Sequence, residues 1–231
     1  APYAIRFALP PGADPVQIAG GMNPGMSSWL PLIFRKRESE KLGTVLILGV
    51  TGMAGLLAVQ NAFALGAEGV IGAGRNAEGL QQAAAKHAQT VALTGERQTD
   101  GHAIANALGK SAPSLVLDFV WGEPAEATFD ALASAEFQTE DKADIAYVQI
   151  GSMAAAEASL PASLLRSRRI RVTGSGLGSA SLADVMAQVP IYMNLIADGR
   201  VKVPTRVFPL SRIAEAWAAK ESGRRTVVLL E

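Results

Sequence analysis

The sequence lacks cysteine altogether and has only two histidines among its 231 residues. Without thiols it has no disulfide framework. Two separated imidazoles give no cysteine–histidine ligand set for a catalytic or structural zinc. We therefore expect no resident metal, and a chain free of cysteine is compatible with the cytoplasm, where we place it.

An excess of charge of either sign is also missing, because 21 Lys and Arg residues balance 21 Asp and Glu residues. A balanced surface gives no electrostatic case for binding nucleic acid or an anionic membrane. A long apolar run is missing as well: glycines divide the uncharged segment 42–67 into a strand and a helix, each too short to cross a bilayer. We expect neither nucleic acid nor a membrane as a partner.

What the sequence does have is glycine, and the most informative glycines lie in the segment 44–76. The apolar run Thr44–Leu48 predicts a buried strand. Three glycines follow, at 49, 52 and 55, and then an apolar-periodic helix ending near residue 66 and a second strand at 69–73. Strand, glycine turn, helix and strand within about thirty residues is the context in which a dinucleotide binds.

The glycine turn predicts a site for a diphosphate at the start of the helix. Gly52 has no Cβ, so the backbone can approach a ligand closely, and Gly55 would let the helix pack tightly on the strand. Val50 stands where the first glycine of the usual G-x-G-x-x-G pattern belongs, and the alternative is an ordinary tight turn. The residues predicted to face the diphosphate are Gly52, Met53 and Ala54, and Thr51 beside them is a further predicted cofactor-binding residue.

The end of the second strand indicates which dinucleotide binds. NAD sites usually carry an Asp or Glu here to hold the ribose 2′-hydroxyl. This sequence has Gly74, Arg75 and Asn76 instead, with no carboxylate before Glu78. A glycine leaves room for a 2′-phosphate and a guanidinium can bind it through paired hydrogen bonds, so the pattern favours NADP over NAD. In the alternative, Arg75 is a solvated loop residue and Asn76 caps the next helix.

Beyond residue 76 strands and helices continue to alternate, which predicts right-handed crossovers and a doubly wound parallel sheet of the Rossmann type. Asp100 and Ser181 are the predicted caps of two of these helices. The predicted strands are 90–93, 114–120, 145–150 and 170–173, and the predicted helices are 77–88, 100–109, 124–136 and 182–197.

The two ends of the chain have a different character. The first forty residues contain a weakly helical stretch that we expect to be broken at 20–29, where glycines and Pro24 cluster. Near the other end, Val201–Phe208 favours a strand, but Pro204 restricts it to an edge strand or an extended connection.

Taken together, these stretches resemble the medium-chain dehydrogenase/reductase family, in particular its zinc-free, quinone-oxidoreductase-like branch. The resemblance covers nearly the whole chain in the family's order. The matching stretches are Pro-Gly-Met-Ser-Ser-Trp (24–29), the glycine turn (49–55), Leu-Val-Leu-Asp-Phe-Val (115–120), Val-Gln-Ile-Gly-Ser (148–152), Ile-Ala-Asp-Gly-Arg (196–200), Phe-Pro-Leu-Ser (208–211) and Ala-Glu-Ala-Trp (214–217).

The resemblance implies a division of the chain into three parts. Such proteins carry a barrel-like catalytic domain before the cofactor-binding domain, and only traces of it are expected here, at both ends. Residues 1–40 would be a leader from that mostly missing domain, 41–200 the NADP-binding Rossmann domain, and 201–231 the return to the catalytic domain. The chain is then a fragment or a naturally shortened form.

The resemblance also implies where the cofactor lies. Its adenosine end would face Gly74, Arg75 and Asn76, and its ribose and nicotinamide would lie along Phe119, Val120, Gly151 and Ser152. Ser27 occupies a position where the family commonly offers a hydroxyl to the cofactor; the alternative is a serine that caps a helix.

The function implied is an NADPH-dependent oxidoreductase that passes a hydride to a small conjugated carbonyl or a quinone. No general acid is identified, because His87 and His102 lie on predicted helix surfaces away from the strand ends. The alternative is a redox-sensing module that binds NADP(H) without turnover. A homodimer is expected through edge-strand pairing at Ile170–Thr173, as is common in the family.

Overall fold

The computed structural model describes residues 5–39, 41–134, 137, 144–176, 178–219 and 223–230. The strands are β1 (Thr44–Leu48), β2 (Gly69–Gly74), β3 (Gln89–Ala92), β4 (Leu115–Asp118), β5 (Ile145–Gln149), β6 (Ile170–Gly174), β7 (Thr205–Pro209) and β8 (Arg225–Leu229). The helices are α1 (Pro15–Ser39), α2 (Met53–Ala64), α3 (Ala77–Ala84), α4 (Arg97–Leu108), α5 (Glu123–Ser134), α6 (Ala162–Ser167), α7 (Leu182–Ala197) and α8 (Ile213–Ala218).

The main sheet has six parallel strands in the order β3-β2-β1-β4-β5-β6. This is the doubly wound Rossmann order, so the predicted fold class is confirmed. The order reverses between β1 and β4, where Leu48 pairs with both Ala73 and Asp118. The carboxyl ends of the three central strands therefore meet at one edge, beside the crevice where ligands of such sheets bind.

Apolar clusters cover both faces of the sheet. Val45 and Ile47 face a cluster that includes residues of α1, α2 and α7, whereas Leu46 and Leu48 face a second cluster with α4 and α5. All four side chains are fully buried. Burial on both faces explains why β1 is a continuous apolar run without alternation.

Helix α1 contradicts the predicted break at 20–29, because it continues unbroken from Pro15 to Ser39. The glycines that suggested a break allow close packing instead. A Cβ added at Gly25 would lie 2.5 Å from Cε1 of Tyr192 in α7, and one added at Gly21 would lie 2.6 Å from Cγ2 of Val203. Tertiary contacts thus outweigh the low helix propensity of glycine, which costs about 1 kcal/mol at each position.

The amino end of α4 is also a correction. Glu96 caps the helix, with Oε2 accepting from the Thr99 amide at 2.8 Å. Asp100, the predicted cap, lies one turn further in, where it is buried and accepts hydrogen bonds from the amides of Thr94 and Gly95. The predicted cap of α7 is confirmed, since Ser181 Oγ accepts from the Asp184 amide at 3.1 Å.

The carboxyl-terminal segment forms a separate small sheet in which β7 and β8 pair in parallel. The strand begins after Pro204, so the proline lies in the connection that precedes it. A short 3-10 helix, Leu210–Arg212, leads into α8. Among the described residues, no helix has the length and apolar character that a bilayer crossing requires.

Candidate functional site

The glycine turn that follows β1 is fixed to the neighbouring strand by its own backbone. The amides of Gly49 and Val50 both donate to the Ala73 carbonyl of β2, at 2.9 and 3.1 Å. Gly49 has a φ of 83°, in the left-handed region that favours glycine. Helix α2 then opens with the bond from the Leu56 amide to the Gly52 carbonyl.

Gly52 and Gly55 have different surroundings. A Cβ added at Gly55 would lie 2.5 Å from the Val50 Cα, so only glycine lets α2 pack this closely on the turn. A Cβ added at Gly52 would meet nothing nearer than the Gly49 carbonyl oxygen at 3.8 Å. The helix has no side-chain cap and no acidic residue in its first turn, so its first amides suit an external anion.

Val50, the departure from the glycine pattern, is accommodated by the neighbouring strand. Its side chain is fully buried, and a Cβ added at Gly72 of β2 would lie 2.7 Å from Val50 Cγ2. A glycine in β2 therefore provides the space that a valine in the turn requires.

Thr51 changes the interpretation of Gly74. A Cβ added at Gly74 would lie 2.6 Å from Thr51 Cγ2, and one added at Gly79 would lie 2.5 Å from Thr51 Cβ. The space at Gly74 is thus taken by the threonine, which joins the turn to the end of β2 and to α3. The close approach of Thr51 is therefore a packing reason for a glycine at position 74.

Arg75 and Asn76 differ in what they do here. Asn76 Oδ1 accepts from the Gly79 amide at 2.7 Å and caps α3, as the alternative interpretation held. Arg75 is exposed, and within the described part of the chain it forms no hydrogen bond or ion pair. Its guanidinium is therefore available to an external group.

The end of β4 is organised by Asp118, which the sequence analysis did not single out. Its Oδ1 accepts from the amides of Val120 and Trp121, at 2.8 and 2.9 Å, and its Oδ2 accepts from the Tyr147 hydroxyl at 2.6 Å. Burial raises the pKa of Asp118 despite these three hydrogen bonds, which act in the opposite direction. Burial, and then the Asp118 charge, raises the pKa of Tyr147 well above its usual range. The sequence signal that could have identified Asp118 is an acidic residue at the end of an apolar strand.

The structure brings the loops after β4 and β5 together beside the glycine turn. The Asp118 carbonyl accepts from the amides of Ile150 and Gly151, at 2.7 and 3.1 Å. A Cβ added at Gly151 would lie 2.5 Å from the Phe119 carbonyl oxygen, so this crossing requires glycine. The Val120 side chain packs against the turn, with Cγ1 2.8 Å from a Cβ added at Gly49. Ser152, which follows Gly151, is exposed.

Ser27 lies in the middle of α1, so the alternative of a helix-capping serine is wrong. Its Oγ donates to the Pro24 carbonyl at 2.7 Å, and the side chain is half-buried. Trp29 nearby is buried and donates to Gln188 Oε1 at 3.0 Å.

Comparison with known proteins supports the sequence resemblance. None of the models of known protein families matches the chain. Over 230 residues the sequence is 33% identical to the probable NADPH-dependent quinone reductase tdiC of Emericella nidulans, covering 94% of this chain and 62% of that protein. The chain is thus similar in sequence to a probable quinone reductase along nearly all of its own length. It spans about three fifths of the length of this curated relative.

Solved structures share the fold of this chain. A mycobacterial quinone oxidoreductase superposes with a TM-score of 0.77 at 18% identity, covering 96% of this chain and 67% of the other. The Escherichia coli quinone oxidoreductase, solved in complex with NADPH, gives a TM-score of 0.70 at 22% identity, covering 97% and 68%.

Neither histidine lies in the glycine turn or in the loops after β4 and β5. His102 is exposed on α4, as predicted, whereas His87 lies in the turn after α3, with a φ of 69°, and not on the helix surface. Within the described residues, no group of three His, Asp or Glu side chains lies close enough together to hold a metal ion.

Proposed function

We propose that this protein is an NADPH-dependent oxidoreductase that transfers a hydride to a quinone or another small conjugated carbonyl. One observation carries the proposal: at the switch point between β1 and β4, the uncapped start of α2 has open space at Gly52. An anion fits this position, and the pyrophosphate of a dinucleotide binds there in sheets of this order. The name of the Emericella nidulans relative supports the same cofactor and substrate class.

We assign the cofactor contacts by their place along the sheet edge. The turn and the start of α2 would hold the diphosphate, the end of β2 the adenosine, and the loops after β4 and β5 the nicotinamide ribose, with Ser27 as a further hydroxyl. These residues are Ser27, Thr51, Gly52, Met53, Ala54, Gly74, Arg75, Asn76, Phe119, Val120, Gly151 and Ser152. When bound, NADPH would supply the hydride.

The choice of NADP over NAD depends on Arg75 in this proposal. The residue directly follows β2, the position where an NAD site usually places a carboxylate. An exposed guanidinium without a partner in the described residues suits a 2′-phosphate, which it can bind through two parallel hydrogen bonds.

The chemistry would depend on position more than on an acid. Hydride transfer requires the nicotinamide and the acceptor to be held in contact with water excluded. The ionisable groups at the ends of β4 and β5, Asp118 and Tyr147, are buried and bonded to each other. This observation also favours a second candidate, an NADP(H)-binding module without turnover.

A homodimer is part of the proposal. β6 is the last strand of the sheet, and its inner ladder uses the Arg169 carbonyl and the Ser175 amide toward β5. The backbone N–H and C=O groups of successive residues in a strand point to opposite sides. Those of Val172 and Gly174 therefore point away from β5 and can pair with a second copy.

An assay of the full-length source protein would separate the two candidates. NADPH binding would be measured by calorimetry, and NADPH consumption would be followed with a panel of quinones and enals. We expect binding together with turnover of at least one acceptor. Tight binding without any turnover would favour the module, and the absence of binding would contradict both.

A further inference from the structure

A buried hydrogen bond underlies the two loops beside the glycine turn. Asp118 is the last residue of β4, Tyr147 lies in the middle of β5, and both side chains are fully buried. The bond between the Tyr147 hydroxyl and Asp118 Oδ2 is 2.6 Å long and joins residues 29 positions apart in sequence. The hydride transfer proposed above makes no use of this pair.

Asp118 fixes both loops at once. Its carboxylate binds the amides of Val120 and Trp121 on its own loop, and its carbonyl binds the amides of Ile150 and Gly151 on the next. The positions of four amides in these two loops therefore depend on one residue.

The loop after β4 needs such a constraint. Trp121 has a φ of 57°, a conformation that side chains other than glycine rarely adopt and that costs about 1–3 kcal/mol. Its ring packs edge-on against Phe129 and Tyr147, with centroids 6.0 and 6.3 Å away. The same tyrosine thus supports the loop through its ring and holds Asp118 through its hydroxyl.

The two loops contact each other and the glycine turn. The Ala154 amide donates to the Val120 carbonyl at 2.8 Å, and Val120 Cγ1 lies 2.8 Å from a Cβ added at Gly49. A displacement of Asp118 would therefore move backbone on both sides of the crevice that faces the turn.

We infer that Tyr147 is a positioning residue, which holds Asp118 and thereby shapes the nicotinamide half of the cofactor site. The inference rests on the proposed function, because it concerns the same crevice. Without the hydroxyl, Asp118 Oδ2 would be a buried acceptor that has lost its hydrogen-bond donor, which is unfavourable. A carboxylate that shifts to regain a donor would move away from the loop amides.

The test compares two cofactor probes on matched tyrosine variants. Tyr147→Phe should weaken NADPH about tenfold, since fewer molecules hold the competent loop conformation, and should leave 2′,5′-ADP, which lacks the nicotinamide half, unchanged. Tyr192→Phe is the control. Tyr192 is equally buried, and its hydroxyl donates to Asn61 Oδ1 at 3.1 Å, but it lies on α7. This variant should affect the two probes equally.

A second pair of variants keeps the inference testable if Tyr147→Phe folds poorly. Asp118→Asn can still accept from the loop amides and donate to the Tyr147 oxygen, so it should retain NADPH affinity close to that of the wild type. Asp118→Ala can do neither and should lose it selectively, again with 2′,5′-ADP unchanged. Equal losses of both probes, or wild-type NADPH affinity in Tyr147→Phe, would overturn the inference while leaving the proposed function intact. Failure of the wild type to bind either probe would instead contradict the proposed function.

Discussion

At the scale of single residues, three glycines near the turn serve three separate purposes. Gly55 allows α2 to approach the turn, Gly72 leaves room for the buried Val50, and Gly52 borders open space. The first two are filled by this protein's own atoms. Only the third is available to a ligand, so Gly52 and Gly55 provide a matched test that separates packing from binding.

We expect Gly52→Ala to reduce NADPH affinity while leaving the free energy of unfolding lower by about 1 kcal/mol or less, since its methyl group would enter the open space. Gly55→Ala should destabilise the protein by about 1–3 kcal/mol, because its methyl group would overlap backbone atoms of the turn. Calorimetric titration and urea unfolding would measure the two quantities. A Gly52→Ala variant with unchanged affinity would argue against a diphosphate at this position.

Arg75 provides a prediction about specificity. Replacement with Glu should weaken NADPH by about 10- to 100-fold, the value of a charge-assisted interaction, and change NADH far less. Lys110→Glu is the control, because Lys110 is an exposed cation just after α4 with the same change of charge. Equal losses for NADPH and NADH would show that Arg75 does not read the 2′-phosphate.

At the scale of elements, the strands were easier to predict than the first helix. Each strand of the main sheet lies within two residues of its predicted limits, because a buried apolar run bounded by glycine has few alternatives. Helix α1 was predicted wrongly, because local propensity treats its glycines and prolines as breakers. Their cost is offset only by contacts with residues far away in sequence, such as Tyr192.

The close packing of α1 against α7 predicts the effect of a small substitution at Gly25. Gly25→Ala should lower the free energy of unfolding by about 1–3 kcal/mol, although alanine favours a helix, because its methyl group would overlap the Tyr192 ring. Gly178→Ala, at an exposed position with open space, is the control. Urea unfolding would show the difference, and equal stabilities would mean that α1 and α7 can separate without cost.

At the scale of the whole molecule, the proposed dimer pairs through only one of the two edge strands of the sheet. The same substitution should therefore have different effects in β6 and in β3. Val172→Pro in β6 removes an outward amide and leaves the inner ladder in place, so it should shift a dimer toward the monomer. Thr90→Pro makes the same change at the opposite edge, where the Leu93 amide shows which side faces inward. It should leave the dimer unchanged. Light scattering after size exclusion would report both masses, and a monomeric wild type would contradict the dimer.

The sequence by itself determined the alternation of strands and helices, the parallel Rossmann sheet and the place of the glycine turn. These follow from local apolar runs, glycine spacing and the handedness of crossovers. Only the tertiary structure decided that α1 is continuous, that Thr51 fills the space at Gly74, and that Tyr147 holds Asp118 under the loops. Each of these depends on atoms from distant parts of the chain, which meet only when the sheet has formed.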